Sequence, residues 1–364
     1  MSLALALHHD GPPLDFVAEA PAGCITALVG PSGSGKTSIL RAVAGLLRVR
    51  RAHIAFDGDV WDDAQRHRET RERPIGLVPQ GYALFPHLTV QSNVETALLH
   101  LDAARRRQRA SECIALAHVA GLERRRPHEL SGGQKQRVAL ARAIAREPKV
   151  LLLDEPFSAV DRSTRKRLYV ELRRLHARLG NTIVLVTHDL DEAAQLASHL
   201  LLVRHGRLLQ AGPTTEVLTR PRDEAAARLL DIPNVFDAQA DAARAGEPLR
   251  LRWGPHVLRA AASATVPAGA PLRWAVLPSN VLLVRADKPR QHLENLVDAT
   301  VDEVIELGAE ALAWLRPRGV PDERLQMRLP ARALRTHSVR AGAEVTVCLR
   351  AADLVLLEAD GDRA

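Results

Sequence analysis

The sequence has little of what would staple, stack or span. Its three cysteines, Cys24, Cys113 and Cys348, are scattered over 364 residues. Their count is odd, and their spacing matches neither paired zinc ligands nor a redox pair. A disulfide framework is therefore excluded, and a reducing setting is expected. Aromatic residues make up 3% of the chain, too few for the stacking platforms used by single-strand binders, and no nucleic acid is expected among the partners. No apolar run approaches the roughly 20 residues of a membrane helix. Residues 1–7 are mildly apolar but lack a basic start and run into His8, His9 and Asp10. No signal peptide is expected, and the protein is expected to stay inside the cell.

What is present is length for about two or three domains and a net charge of +7. Most of the basic residues are arginines in helix-like stretches such as 103–110 and 162–178, which read as solvated helix faces. Residues 1–232 alternate aliphatic runs with helical segments, the pattern of an α/β domain around a mostly parallel sheet. Three runs, 25–29, 150–153 and 183–186, are aliphatic without polar alternation, as in strands buried on both faces. From residue 233 to 364 the texture changes to short alternating runs at 273–284, 296–305 and 345–349, broken by turns. That pattern predicts a separate all-β domain.

Gly30-Pro31-Ser32-Gly33-Ser34-Gly35-Lys36-Thr37 fits the phosphate-binding loop G-x-x-x-x-G-K-[ST] and lies between an aliphatic strand and a helical run at 38–47. Its glycines let backbone N–H groups turn inward around a phosphate. The helix start adds positive dipole, Lys36 reaches the terminal phosphates, and Thr37, followed by Ser38, offers an oxygen to magnesium. Val150-Leu151-Leu152-Leu153-Asp154-Glu155 is an aliphatic strand ending in two carboxylates. Asp154 is placed for the magnesium shell, and Glu155 for polarising a water in line with the γ-phosphate.

Leu130-Ser131-Gly132-Gly133-Gln134 opens a helical run over 134–146, and a helix start is a second place for an anion. These five residues resemble the signature of ATP-binding cassette ATPases. Two further positions resemble family motifs: Gln80, in Val78-Pro79-Gln80, is similar to the Q-loop glutamine, and His188, in Val186-Thr187-His188-Asp189, to the switch histidine. Ser158-Ala159-Val160-Asp161 resembles the D-loop, with valine where leucine is usual. The resemblance covers residues 1–232. It implies an α/β P-loop NTPase domain with a helical signature subdomain, followed over 233–364 by an all-β barrel of the oligonucleotide/oligosaccharide-binding type.

The resemblance further implies ATP and Mg2+ as ligands. Glu155, His188 and Gln80 take catalytic roles; Thr37, Gln80 and Asp154 face the metal. Residues 30–38, Ser131, Gly132, Gly133, Gln134 and Asp161 bind nucleotide, the signature acting in trans within a homodimer. Ala83-Leu84-Phe85-Pro86-His87-Leu88-Thr89-Val90 resembles the importer groove that receives a membrane permease. The protein is then expected on the cytoplasmic side of the inner membrane, held there by the permease and fed by a solute-binding protein. Ile232-Pro233-Asn234-Val235-Phe236 and the β-rich tail resemble importers for sulfate, molybdate, iron, polyamines and sugars. Ile25-Thr26-Ala27-Leu28, Lys36-Thr37-Ser38 and Asp57-Gly58-Asp59-Val60-Trp61 look most like the molybdate branch. The runner-up class is a soluble cassette ATPase acting on DNA or the ribosome. The family's adenine-stacking aromatic is absent: Leu7, His8 and His9 stand at that distance from Lys36, and Phe16 is expected to pack in a strand.

Overall fold

The computed structural model describes residues 1–241, 248–261, 266–285 and 293–358. The chain forms two compact units, Met1–Val217 and Leu218–Ala364.

In chain order the first unit comprises β1 (Ser2–Asp10), β2 (Pro13–Pro21), β3 (Ile25–Val29), α1 (Lys36–Val43), β4 (Arg51–Phe56), β5 (Asp59–Asp62) and β6 (Ile75–Val78). It continues through α2 (Val90–Glu95), α3 (Ala103–Leu116), α4 (Gly132–Ile144), β7 (Val150–Asp154), α5 (Arg162–Leu179), β8 (Thr182–Thr187), α6 (Leu190–Leu196), β9 (His199–Arg204) and β10 (Arg207–Pro213). One ten-stranded sheet runs β5-β4-β1-β2-β10-β9-β3-β8-β7-β6. Strands β9, β3, β8, β7 and β6 are mutually parallel. The aliphatic runs expected at 25–29, 150–153 and 183–186 are β3, β7 and β8, and every residue in these three strands is buried.

The other end of the sheet, β5-β4-β1-β2, is antiparallel. Its signal is alternation: alanines and histidines stand outside in β1 and Asp15, Val17 and Glu19 in β2, while Leu3, Leu5, Leu7, Leu14 and Phe16 point into the core. The helix expected over 38–47 is α1. It starts earlier because Gly35, at φ 95°, turns the chain directly into Lys36, and it stops before Gly45, at φ 75°. The signature helix α4 also starts two residues earlier than the 134–146 run expected, since Ser131 is its N-cap.

Among the described residues the second unit holds ten strands: β11 (Val235–Ala240), β12 (Arg250–Trp253), β13 (His256–Arg259), β14 (Pro271–Ala275), β15 (Val281–Leu283), β16 (Leu296–Leu307), β17 (Glu310–Pro317), β18 (Leu325–Pro330), β19 (Glu344–Leu349) and β20 (Val355–Leu357). They form two five-stranded antiparallel sheets, β13-β12-β11-β14-β20 and β15-β19-β16-β17-β18. One core serves both. Phe236, Trp253 and Trp274 pack with ring centroids 5.0–5.2 Å apart, and Val297, Leu315 and Met327 complete it from the other sheet.

The helix behind the phosphate loop is anchored by a buried charge. Arg73, 1% exposed, donates through Nη1 to the carbonyls of Ala42 and Val43, both at 2.9 Å, so it satisfies the C-terminal end of α1. Nη2 meets Asp62 Oδ2 at 2.9 Å, and Nε meets the Arg68 carbonyl at 3.0 Å. Burial pushes the guanidinium down from the usual arginine range, and the Asp62 carboxylate opposes that shift. Asp62→Ala leaves this cation buried and unpaired. It should cost about 3 kcal/mol, read as a lowered midpoint in urea unfolding; a midpoint equal to that of the unsubstituted protein would contradict the role given to the pair.

Candidate functional site

Parallel β-strands end together, and here four of them deliver polar side chains to one edge of the sheet. In the ladder Val29 pairs with Thr187, Val186 with Asp154 and Leu153 with Val78. The residues that follow, Gly30, His188, Glu155 and Pro79-Gln80, therefore emerge side by side.

The loop after β3 is shaped by backbone. Gly30 cannot carry a side chain, because a Cβ would lie 2.1 Å from the Val203 carbonyl oxygen of β9. Gly33 adopts φ 79°, and the Gly206 amide ties down the Ser34 carbonyl at 2.9 Å. Lys36 is buried, and its Nζ donates to the carbonyls of Gly30 and Pro31, both at 2.8 Å, so the ammonium sits inside the ring of the loop. Burial pushes its pKa down, while the charges of Glu155 and Asp154 oppose that shift.

The next residue, Thr37, donates from Oγ1 to Asp154 Oδ1 at 3.1 Å. Asp154 is buried at the end of β7, and desolvation raises its pKa, with the neighbouring Glu155 charge adding to the rise. The two form an oxygen-only pair. Among the described residues no group of three or more His, Cys, Asp or Glu side chains is arranged to hold a metal ion. A hydroxyl and one carboxylate suit a hard cation that keeps most of its shell as water and substrate phosphate, as Mg2+ does. They do not suit zinc or a transition metal.

Glu155 stands in the left-handed region at φ 44°, and its amide donates to the Val186 carbonyl of β8 at 3.0 Å. Such a conformation is unfavourable for a side-chain-bearing residue and marks a position held by its surroundings. Gln80 Nε2 donates to Glu155 Oε2 at 3.3 Å, and His188 Nδ1 lies 3.4 Å from Glu155 Oε1. One carboxylate is thus addressed at both oxygens, from β6 and from β8.

Ser131, Gly132, Gly133, Gln134 and Asp161 form a second group. Ser131 and Gln134 close a capping box, with Gln134 N to Ser131 Oγ at 3.3 Å and Ser131 N to Gln134 Oε1 at 2.9 Å. A Cβ on Gly132 would lie 3.0 Å from the Ala159 carbonyl oxygen, and one on Gly133 would lie 3.1 Å from Thr164 Cγ2. The signature thus packs against the segment around Asp161, which itself caps α5 through the amides of Ser163 and Thr164. The Ser163 hydroxyl, donating to Asp161 Oδ1 at 2.7 Å, and then these amides hold the Asp161 carboxyl well below the usual range. The bonds of this group run within α4 and α5, and those of the first group run among the strand ends.

Other expected positions are plain. Phe16 is fully buried in β2. His8 is exposed beside Asp10, at 3.9 Å.

This fold and these two groups define a P-loop nucleotide-binding ATPase cassette. The sequence profile described as ABC transporter matches residues 15–158, and that of the TOBE domain matches residues 275–357. A Streptomyces coelicolor protein named Fe(3+) ions import ATP-binding protein is 38% identical over 93% of this chain and 90% of its own length. A molybdenum import ATP-binding protein of Methylococcus capsulatus is 35% identical over 94% of this chain and 95% of its own. The match to a Pseudomonas fluorescens iron import relative is 46% identical but spans only 64% of that protein's length. A match to an Agrobacterium fabrum sulfate/thiosulfate import relative, also 46% identical, spans 60%. Among solved structures, a dimeric bacterial ABC transporter cassette aligns with TM-score 0.51 at 29% identity, covering 58% of this chain and 98% of that one. The chain belongs to the ABC transporter ATPase family, in the group with a C-terminal TOBE domain.

Sequence reasoning missed Glu192. This side chain, 4% exposed on α6, leaves Oε1 without a hydrogen-bond partner. Burial raises its pKa to about 8, with the Asp189 charge adding to the rise and a Thr187 hydrogen bond and Arg165 opposing it. The signal was available as Asp189-x-x-Glu192, a helix N-cap followed three residues later by glutamate; Asp189 Oδ1 does accept from the Glu192 amide, at 3.1 Å. An unfolded glutamate titrates near its model value of 4.5, so between there and about pH 8 the folded state holds the extra proton and loses stability as pH rises. Glu192→Gln should therefore stabilise the protein more at pH 9 than at pH 5, by about 1 kcal/mol or more. Thermal unfolding at the two pH values checks this, and a pH-independent effect would contradict it.

Proposed function

We propose that the chain is the ATP-hydrolysing subunit that powers a multi-subunit importer. The observation that carries this reading is the convergence of Gln80 and His188 on the two oxygens of Glu155, beside the Thr37–Asp154 pair. Lys36 and the loop amides bind the β- and γ-phosphates of ATP. Thr37 and Asp154 are the residues that would hold Mg2+, with Gln80 nearby, and the ion would neutralise phosphate charge during transfer. Glu155 accepts a proton from the water aimed at the γ-phosphate. Gln80 and His188 fix the orientation of its carboxylate, and His188 would also bind the γ-phosphate.

The bonds of Ser131, Gln134 and Asp161 are spent on the starts of α4 and α5, and this supports a homodimer in which the signature helix start of one copy faces the phosphates bound by the other. None of the described helices is long and apolar enough to cross a membrane. We place the subunit peripherally on the cytoplasmic side of the inner membrane, held by integral permease subunits and supplied through them by a solute-binding protein. Residues 1–232 act as the cassette and 233–364 as the transport-associated module.

Full-length relatives carry both iron and molybdenum in their names. The oxyanion molybdate is favoured by the residues flanking the phosphate loop and by Asp57-Gly58-Asp59-Val60-Trp61. Glu155→Gln tests both levels. The purified variant should bind ATP normally yet hydrolyse it about 100- to 10,000-fold more slowly. In the host cell the same substitution should abolish molybdate uptake and spare sulfate and iron uptake. Hydrolysis at the rate of the unsubstituted protein would sink the ATPase assignment, and lost iron or sulfate uptake would move the cargo.

A further inference from the structure

Gln80 has to reach Glu155 from a turn that its own sequence does not favour. Gly81, Tyr82 and Ala83 follow it with φ of 77°, 69° and 46°, three successive left-handed residues of which only the first is glycine. The turn has short internal bonds, Tyr82 N to the Pro79 carbonyl and Ala83 N to the Gly81 carbonyl, both at 2.9 Å. Side-chain-bearing residues resist this conformation, so it must be held from outside.

One side chain supplies such support to two successive carbonyls. Arg142, in the last turn of α4, donates through Nη2 to the Tyr82 carbonyl at 2.9 Å and through Nη1 to the Ala83 carbonyl at 2.8 Å. Its guanidinium carbon lies 5.7 Å from the centre of the Phe85 ring. Phe85 is in turn fixed by the fully buried Asn93, whose Oδ1 accepts from the Phe85 amide at 2.8 Å and whose Nδ2 donates to the Phe85 carbonyl at 3.1 Å.

We infer that Arg142 is a positioning residue for Gln80: its fork holds the left-handed turn that aims the glutamine at Glu155, and does so from the helix that begins at Ser131. This rests on the ATPase reading above, and assigns to that site a part outside its motifs. The planar fork matters, because two carbonyls in successive peptides match two parallel N–H donors, and a lysine offers only one compact charge. Ser131 at one end of α4 and the turn after Gln80 at the other are then bound to the same rigid rod. A displacement of residues 82–85, the segment likened to the permease groove, reaches the signature without passing through the sheet.

The full-length protein tests this with two independent readouts. Arg142→Ala should lower kcat about 10- to 100-fold, the scale of a displaced catalytic group, with the KM for ATP changed by less than about twofold, because the phosphate loop is untouched. Arg142→Lys should recover only a small part of kcat. In a Gln80→Ala background, Arg142→Ala should cause no further loss, whereas Arg109→Ala, which removes another arginine–carbonyl bond of the helical region at 3.2 Å, should leave kcat as it is. Independently of hydrolysis, hydrogen exchange at the amides of Tyr82 and Ala83 should accelerate in Arg142→Ala and stay unchanged along β7. Equal fold-losses in the presence and absence of Gln80, or unchanged exchange at Tyr82 and Ala83, would overturn the inference. A protein of normal exchange behaviour that hydrolyses no ATP at all would instead overturn the ATPase reading.

Discussion

The register of β6, β7, β8 and β3 is the constraint on which the rest depends. Side chains along a strand alternate faces, so a slip of one residue in any pair would turn the following functional residue away from its neighbours. The pairings Val29–Thr187, Val186–Asp154 and Leu153–Val78 place the last ladder residues in one row. What fixes that row is burial: all residues of β3, β7 and β8 are inside, and no polar alternation offers another face to water. The Glu155 amide, donating to the Val186 carbonyl, extends the ladder by one bond into the site. A left-handed glutamate is thereby held where the sheet would otherwise fray.

Around this rigid edge, polar side chains inside the unit do the positioning that apolar packing cannot. Arg73 satisfies the end of the helix behind the phosphate loop, Asn93 fixes Phe85, and Arg142 holds the turn after Gln80. Each bonds to backbone carbonyls or amides. Such bonds are directional, so they set the geometry of a loop more narrowly than a hydrophobic contact does. Glu192 is the exception. Its carboxyl lies buried on α6 with an oxygen unmatched, and burial raises its pKa.

Much of this was legible in the sequence. The three buried strands announce themselves as unbroken aliphatic runs, and Gly30, Gly33 and Gly35 stand where a strand turns sharply into a helix. The tail reads as all-β from its alternating runs, although alternation alone gives no hint that its strands divide into two sheets around Phe236, Trp253 and Trp274. In the antiparallel arm β1 was hard to see because Ala4 and Ala6 hold its outer positions, so its two faces contrast weakly, whereas β2 alternates plainly, with Asp15, Val17 and Glu19 outside. The arginine contacts were invisible for another reason. Arg142 binds carbonyl groups about 60 positions away, and a carbonyl has no residue identity for a sequence to display. The phosphate loop's first glycine was read for its phosphate chemistry, whereas the structure adds a packing reason, the close approach of the Val203 carbonyl.

The central claim is that the phosphate loop of one copy and the signature of another make one catalytic site. It is tested most directly by mixing two inactive proteins, Lys36→Ala and Ser131→Arg, under conditions in which mixed dimers are shown to form. In a mixed dimer one composite site carries both defects and the other carries neither. The account predicts that ATP hydrolysis, absent from each protein alone, returns in the mixture in proportion to the mixed dimer. Mixed dimers without any recovered hydrolysis would contradict it.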